Sequence, residues 1–224
     1  MMGTTHKMGG FLFGLIVIAF GLYLPTLPIS VFSIYAPIFL VGCVFGALIP
    51  DIDSPKSTIS RMIWPIAWPI WIFQKVIRVI FSKKKSKFAK NICKTVGHRG
   101  IAHWLILGII YLLIVAAISF MLKDVVDSKT TKGLSIYMLL YFFYGVTIGN
   151  ISHIILDTFN TTGIPLFAPF SFKRIHFANV STGSRKNKFG LNKFFTTSKS
   201  ENLTIVIIMI LICLLSCYIL KFKV

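Results

Sequence analysis

Acidic side chains are scarce: 6 Asp and Glu stand among 224 residues, beside 24 Lys and Arg and only 5 His. Charged residues of all kinds make up 13%, hydrophobic ones 55%, and the mean hydropathy is +0.80. So little charge excludes an ordinary soluble domain of this length. The four cysteines, Cys43, Cys93, Cys213 and Cys217, contain no CxxC pair. Cys213 and Cys217 share a helical face inside an apolar run, so the thiols read as structural and no disulfide framework is implied. The zinc-protease signature His-Glu-x-x-His is absent, which argues against a peptide hydrolase. There is no internal repeat, and no pair of inverted halves of the kind transporters show.

What the chain does have is apolar length. Ile29–Pro50, His103–Leu122, Leu134–Asp157 and Leu203–Leu220 are each long enough, or nearly so, to cross a hydrocarbon core, which takes ~17–25 residues. Gly9–Leu24 is shorter and Gly-rich but of the same style. Lys7 ahead of it imitates a secretory signal. Leu24-Pro25-Thr26-Leu27-Pro28 lacks a small-x-small cleavage pattern, so a retained helix followed by a Pro-containing turn is expected. The expected fold is all-α, a polytopic membrane bundle of about five transmembrane helices. It forms one integral membrane domain over residues 1–224, with a site-bearing core in 1–170, a basic loop in 171–202 and a C-terminal transmembrane helix at 203–220.

Charge sets an orientation. With the N-terminus in the cytoplasm, Lys7, the basic stretch Lys56–Arg99 and the loop Lys173–Lys199 share one side, and they hold 19 of the 24 Lys and Arg. Lys123, Lys129, Lys132, Lys221 and Lys223 fall on the other. The positive-inside rule therefore favours an inner (cytoplasmic) membrane protein of five spans with its N-terminus inside. The net charge of +18 does not imply nucleic acid, because no recognition motif interleaves the basic residues. Anionic lipid headgroups are the partner they suit, at ~1 kcal/mol per cation near the surface.

Between Arg61 and Phe81, Trp64, Trp68 and Trp71 are grouped, with Lys75 and Arg78 after them. Aromatics flanked by cations suit the membrane interface, and Pro65 and Pro69 oppose one straight span. Ser181–Ser200 is polar and basic with Gly183 and Gly190 as breakers, and a mobile cytoplasmic loop is expected there.

Against this background the positions of the rare ionisable groups stand out. Four of the five His and three of the six acids lie in short clusters where apolar runs begin or end: His6, Asp51 with Asp53, His98 with His103, and His153 with Asp157. Ionisable groups at the edge of hydrocarbon are costly and usually functional. On a helix His153 and Asp157, at i and i+4, project from one face and can bind one ion or bridge two. Alone, that spacing serves as well for a hydrogen-bonded pair at a helix end. Asp51 and Asp53 lie between Pro50 and Pro55, which restrict the backbone. Asp53 can bind metal while Asp51 caps the turn, both can share the ion, or both can simply end one helix and cap the next. His98 and His103 flank a Gly-containing turn, and Arg99 between them could grip a phosphate oxygen or anchor at the interface. With the N-terminus inside, every cluster falls on the cytoplasmic face, although the orientation was set by charge and not by these residues.

The ordered set of motifs resembles the YdjM-like family of membrane-bound metal-dependent hydrolases, which is distantly similar to zinc-dependent phospholipase C and P1-type nucleases. The resemblance rests on Thr5-His6, on Leu48-Ile49-Pro50-Asp51-Ile52-Asp53-Ser54-Pro55-Lys56-Ser57, on Gly97-His98-Arg99-Gly100-Ile101-Ala102-His103, and on Gly149-Asn150-Ile151-Ser152-His153-Ile154-Ile155-Leu156-Asp157. It continues through Thr162-Gly163-Ile164-Pro165-Leu166-Phe167-Ala168-Pro169. It implies a divalent-metal centre, zinc-like, held by His6, Asp53, one of His98 and His103, His153 and Asp157, with Asp157 as the bridge. Two departures matter: Trp104 stands where the family has Ser after His103, and His176 alone cannot complete a three-metal centre. One or two ions are therefore expected. The implied activity is hydrolysis of a phosphoester in a membrane lipid or lipid-linked precursor, with Asp51 as general base and Arg99 on the phosphate. A non-catalytic membrane protein that binds or transports metal is the alternative from another class.

Overall fold

The computed structural model describes residues 3–20, 32–55, 57–82, 86, 89, 93, 96, 100–122, 130–159, 163–175 and 198–223, without the side chains of 32–34, 82, 198–205 and 219–223. Its helices are α1 (Gly3–Phe20), α2 (Phe32–Gly46), α3 (Thr58–Met62), α4 (Trp64–Ser82), α5 (Leu105–Leu122), α6 (Thr131–Asp157) and α7 (Ser198–Lys223). Two single 3₁₀ turns, Ile49–Asp53 and Ile101–His103, follow α2 and precede α5. The architecture is an all-α membrane bundle. Among the described residues four segments are long and apolar enough to cross a membrane: Gly3–Phe20, Tyr35–Asp53, Leu105–Leu122 and Thr131–Asp157. Within α7 lies a shorter apolar stretch, Val206–Tyr218, at the position of the expected fifth span. The Pro turn after Leu24, the Lys83-Lys84-Lys85 run and the loop 181–197 lie outside the described residues, and the last helix starts at Ser198 rather than Leu203.

The central pair is α2 against α6, and α1 packs on both as well as on α7, while α5 packs on α6. Close approach of the central pair is dictated by four glycines spaced as two Gly-x-x-x-Gly motifs, Gly42 with Gly46 and Gly145 with Gly149. A methyl group at Gly42 or Gly46 would collide with the carbonyl of Phe142 or Val146. One at Gly145 or Gly149 would strike the carbonyl of Phe39 or Cys43. Small residues at this spacing let membrane helices meet backbone to backbone, where dispersion rather than hydrophobicity drives association. Away from the glycines the seam is filled by Leu15, Ile18, Tyr35, Phe39, Tyr141 and Tyr144, with the rings of Tyr35 and Tyr141 stacked at 5.0 Å.

The Trp-rich stretch forms one 19-residue helix, α4, with Pro69 inside it. Pro65 falls in its first turn, where a missing N–H costs nothing. The helix is not among the candidate spans. It exposes Trp64, Trp68, Phe73 and Val79, the apolar surface an interfacial helix buries among headgroups. Trp71 does more than anchor: its indole N–H donates to the Ile52 carbonyl at 3.0 Å. Ser60 Oγ donates to the same carbonyl at 2.9 Å, and Ser57 caps α3 by accepting from the Ser60 N–H at 3.2 Å. The 3₁₀ turn carrying Asp51 and Asp53 is thus tied to α3 and α4 through the carbonyl between its two acids.

Candidate metal centre

Five ionisable side chains from four elements meet at one end of the bundle. His6 lies in the first turn of α1, not ahead of it as expected, because α1 begins at Gly3. Asp51 comes from the first 3₁₀ turn, His103 from the second, and His153 and Asp157 from the last turns of α6. Side-chain exposure is 1% for His6, 0% for His103 and His153, and 2% for Asp157, whereas Asp51 keeps 22%.

The reactive atoms face inward on one another. His103 Nε2 lies 3.3 Å from His153 Nε2 and 3.6 Å from Asp157 Oδ2. His153 Nε2 is 3.9 Å from the same oxygen. Asp51 Oδ1 is 3.9 Å from His103 Nε2 and 3.8 Å from His153 Nε2. The other Asp157 oxygen, Oδ1, lies 3.4 Å from His6 Nε2, and the His6 ring stacks on that of His153 at 3.8 Å. Two groups thus have metal-binding proportions: His103 with His153 and Asp157, and His6 with Asp51 and His153.

His153 is fixed by a second contact. Its Nδ1 is 2.7 Å from the carbonyl of Ala47, which can only accept, so the proton belongs on Nδ1 and the Nε2 lone pair points into the cluster. Metal-binding histidines are commonly held this way, the far ring nitrogen donating to a carbonyl or carboxylate. Ala47 closes α2 over α6 at the point where Gly46 and Gly149 allow contact, so the helix seam positions the ligand.

The donor set fits a divalent cation. Ligands at ~2.0–2.2 Å in tetrahedral array are separated from each other by about 3.3–3.6 Å, and the His103, His153 and Asp157 atoms span 3.3–3.9 Å. Two carboxylates and three imidazoles in an apolar bundle need compensation for lost hydration. A proton satisfies two acceptors, whereas one cation satisfies four.

The carboxylates of the Pro-flanked turn divide differently from expectation. Asp51, read as the base, reaches the cluster. Asp53, read as a ligand, belongs to neither group; it is buried and lines a separate cavity of about 470 Å³ with Trp71, Lys75 and Arg78. A 3₁₀ helix has three residues per turn, so side chains two apart point roughly 120° away from each other and do not share one face. His103 is the histidine of its pair that the structure places in the cluster; His98, Arg99 and His176 lie outside the described residues. Trp104, which follows His103, is buried and contacts the Phe172 ring edge to face at 6.2 Å. The Ala47 carbonyl and the Trp71 tie were missed from sequence, since neither backbone acceptors nor indole donors carry a spacing signal. The glycines did carry one, as two Gly-x-x-x-Gly pairs in apolar runs.

No curated protein and no solved structure matches this chain, so the likeness to zinc-dependent phospholipase C and P1-type nucleases has no support from those comparisons. A family model does match, over residues 1–224, and the chain belongs to the family described as YdjM inner membrane protein.

Proposed function

We propose that the protein is a membrane-embedded metal-dependent hydrolase that cleaves a phosphoester of a membrane lipid or lipid-linked precursor. The observation that carries this reading is the convergence of His6, Asp51, His103, His153 and Asp157 at one end of a membrane bundle, with His153 oriented by the Ala47 carbonyl. One divalent ion, zinc by ligand type, would be held by His103, His153 and Asp157; His6, Asp51 and His153 form a second set that shares the single free lone pair of His153, so a second ion would have to rest on His6 and Asp51. Bound there, such an ion lowers the pKa of a water toward ~7 and polarises a phosphoryl oxygen.

Exposure and side-chain chemistry support the remaining roles. Asp51 is the one member of the cluster with appreciable exposure, so it is the carboxylate that an incoming water can reach and the group suited to take its proton. Asp157 and the three imidazoles are sealed from solvent, which suits holding rather than proton exchange. Arg99, four residues before His103 in sequence, carries the planar cation that suits a phosphate oxygen. A site where helices end suits a substrate whose phosphate lies in the headgroup layer and whose tails stay in hydrocarbon.

The test is metal analysis of the detergent-purified chain, followed by assay of the same preparation on phospholipids and polyisoprenyl phosphates with and without chelator. Metal near one or two equivalents and chelator-sensitive phosphate or phosphoalcohol release are expected. Stoichiometric metal with no cleavage of any lipid phosphoester would favour the non-catalytic metal-binding alternative, and no metal at all would remove the centre.

A further inference from the structure

A groove between α5 and α6 is not used by the site just described. Its volume is about 510 Å³, and it runs along α6 from Asn150 to Ile136 and along α5 from Tyr111 to Leu122, a size within the ~300–1,000 Å³ of ordinary ligand pockets. Its walls change character along its length. At the end nearer the site lie Asn150 and Thr147, together with Ile49, two residues before Asp51. Thr147 Oγ donates to the Tyr144 carbonyl at 2.7 Å, so it asks nothing of an occupant. Farther along, Ile114, Ile118, Leu139, Leu140 and Phe143 line it with hydrocarbon alone.

Depth decides what fits. From Asn150 to Ile136 the groove covers about 21 Å of helix at ~1.5 Å per residue. Half of a ~30 Å hydrocarbon core, the share of one leaflet, is about 15 Å. On α5 the lining begins near mid-helix and ends at Leu122, the end opposite His103. A tail whose phosphate sits at the His and Asp cluster therefore fills this groove only by passing the midplane. Resting on the proposed hydrolysis, and naming its substrate class, we infer that the groove takes the hydrocarbon chain of a long-chain lipid monophosphate, longer than an acyl chain confined to one leaflet, as a polyisoprenyl phosphate is.

The experiment reads occupancy apart from cleavage. Polyisoprenyl monophosphates of graded length with a terminal diazirine are photolysed with the full chain in lipid nanodiscs, and the adducts are mapped by peptide mass spectrometry. Long probes are expected to label Ile118, Leu139 and Phe143, while probes of three isoprene units label no farther than Val146 and Asn150. Ile118→Trp and Leu139→Trp should each lower deep labelling by at least about tenfold with metal content unchanged. Phe120→Trp, within about 3 Å of the depth of Ile118 at an exposed position outside the groove, should leave it intact. Several results would overturn the inference. Among them are labelling independent of chain length, adducts spread equally over Leu113 and Phe120, equal labelling by the same chain without its phosphate, or disulfide trapping between two copies of the Ile118→Cys chain. The first three mean bulk or opposite-leaflet lipid, and the last means a protein partner in the groove. Deep labelling without hydrolysis leaves the inference standing and removes the hydrolase reading; hydrolysis with equal loss or equal retention for long and short chains in the Trp variants does the reverse.

Discussion

Asp157 reaches a member of each ligand group, one oxygen 3.4 Å from His6 and the other 3.6 Å from His103, while His153 is the residue the two groups share. Asp157→Asn preserves size and removes the charge, so bound metal and lipid phosphoester cleavage should fall together, metal affinity by at least about tenfold. Asp51→Asn should separate the two: His103, His153 and Asp157 retain an ion, while loss of the proton acceptor slows turnover by roughly 10²–10⁴-fold. Metal content and cleavage rate measured on the same preparations check both, and parallel loss in Asp51→Asn would recast it as an obligatory ligand. Much of this site was legible in the sequence, because His and acid are so few that each stands out against apolar neighbours. His153 with Asp157 followed from helical periodicity alone. The choice between Asp51 and Asp53 did not, since residues two apart diverge in either kind of helical turn and only the phase of the turn after Pro50, held by Ser60 and Trp71, decides which acid faces the cluster.

At the scale of elements, the site depends on two supports that bring no ligand of their own. The first is the α2–α6 seam. In Gly149→Ala the added methyl meets the Cys43 carbonyl, a backbone atom that can move only with its helix. Overpacking of this kind costs typically ~1–3 kcal/mol, and the separation it forces would also draw the Ala47 carbonyl from His153. A lowered midpoint of thermal unfolding in detergent together with weaker metal binding is expected. Gly108→Ala is the contrast, since its methyl approaches Ile151 Cγ1 at 3.1 Å and Asn150 Oδ1 at 3.3 Å, side-chain atoms that can yield. The second support is Trp71. Trp71→Phe removes the donor to the Ile52 carbonyl and leaves that of Ser60. Outer partners of metal ligands typically contribute 10–100-fold in affinity or activity. A competition titration should therefore show weaker metal binding, or the rate a comparable fall, with helix content unchanged by circular dichroism. The apolar runs revealed which segments become helices, and Trp with flanking cations marked α4 as distinct from the spans. Its link to the Asp turn could not be read from sequence, because a hydrogen bond across nineteen residues leaves no periodic trace.

For the whole molecule the decisive question is which compartment the site faces. α5 runs from the His103 end to Leu122 and α6 returns from Thr131 to Asp157, so Leu122 and Thr131 lie at the end of the bundle opposite the five ionisable residues. The chain leaving Asp157 stays near the site at first, pairing Ile164 with Ile175 through backbone hydrogen bonds of 3.1 and 2.9 Å. It then enters the basic loop that precedes α7. In sequence that loop follows Ile175 and the stretch Lys56–Arg99 lies between Asp53 and His103, so both adjoin elements of the site end, and they hold most of the cations. The positive-inside bias acts on such short, cation-rich connections, so the site end should face the cytoplasm, where anionic headgroups add attraction that falls away within a Debye length. Single-cysteine accessibility labelling in intact cells, on a chain with its four native thiols replaced, should modify a cysteine in 124–130 with an impermeant reagent and spare one in 181–197. The reverse pattern would turn the bundle over, placing the His and Asp cluster and any phosphate it releases on the outer face, and the substrate would have to present its headgroup there.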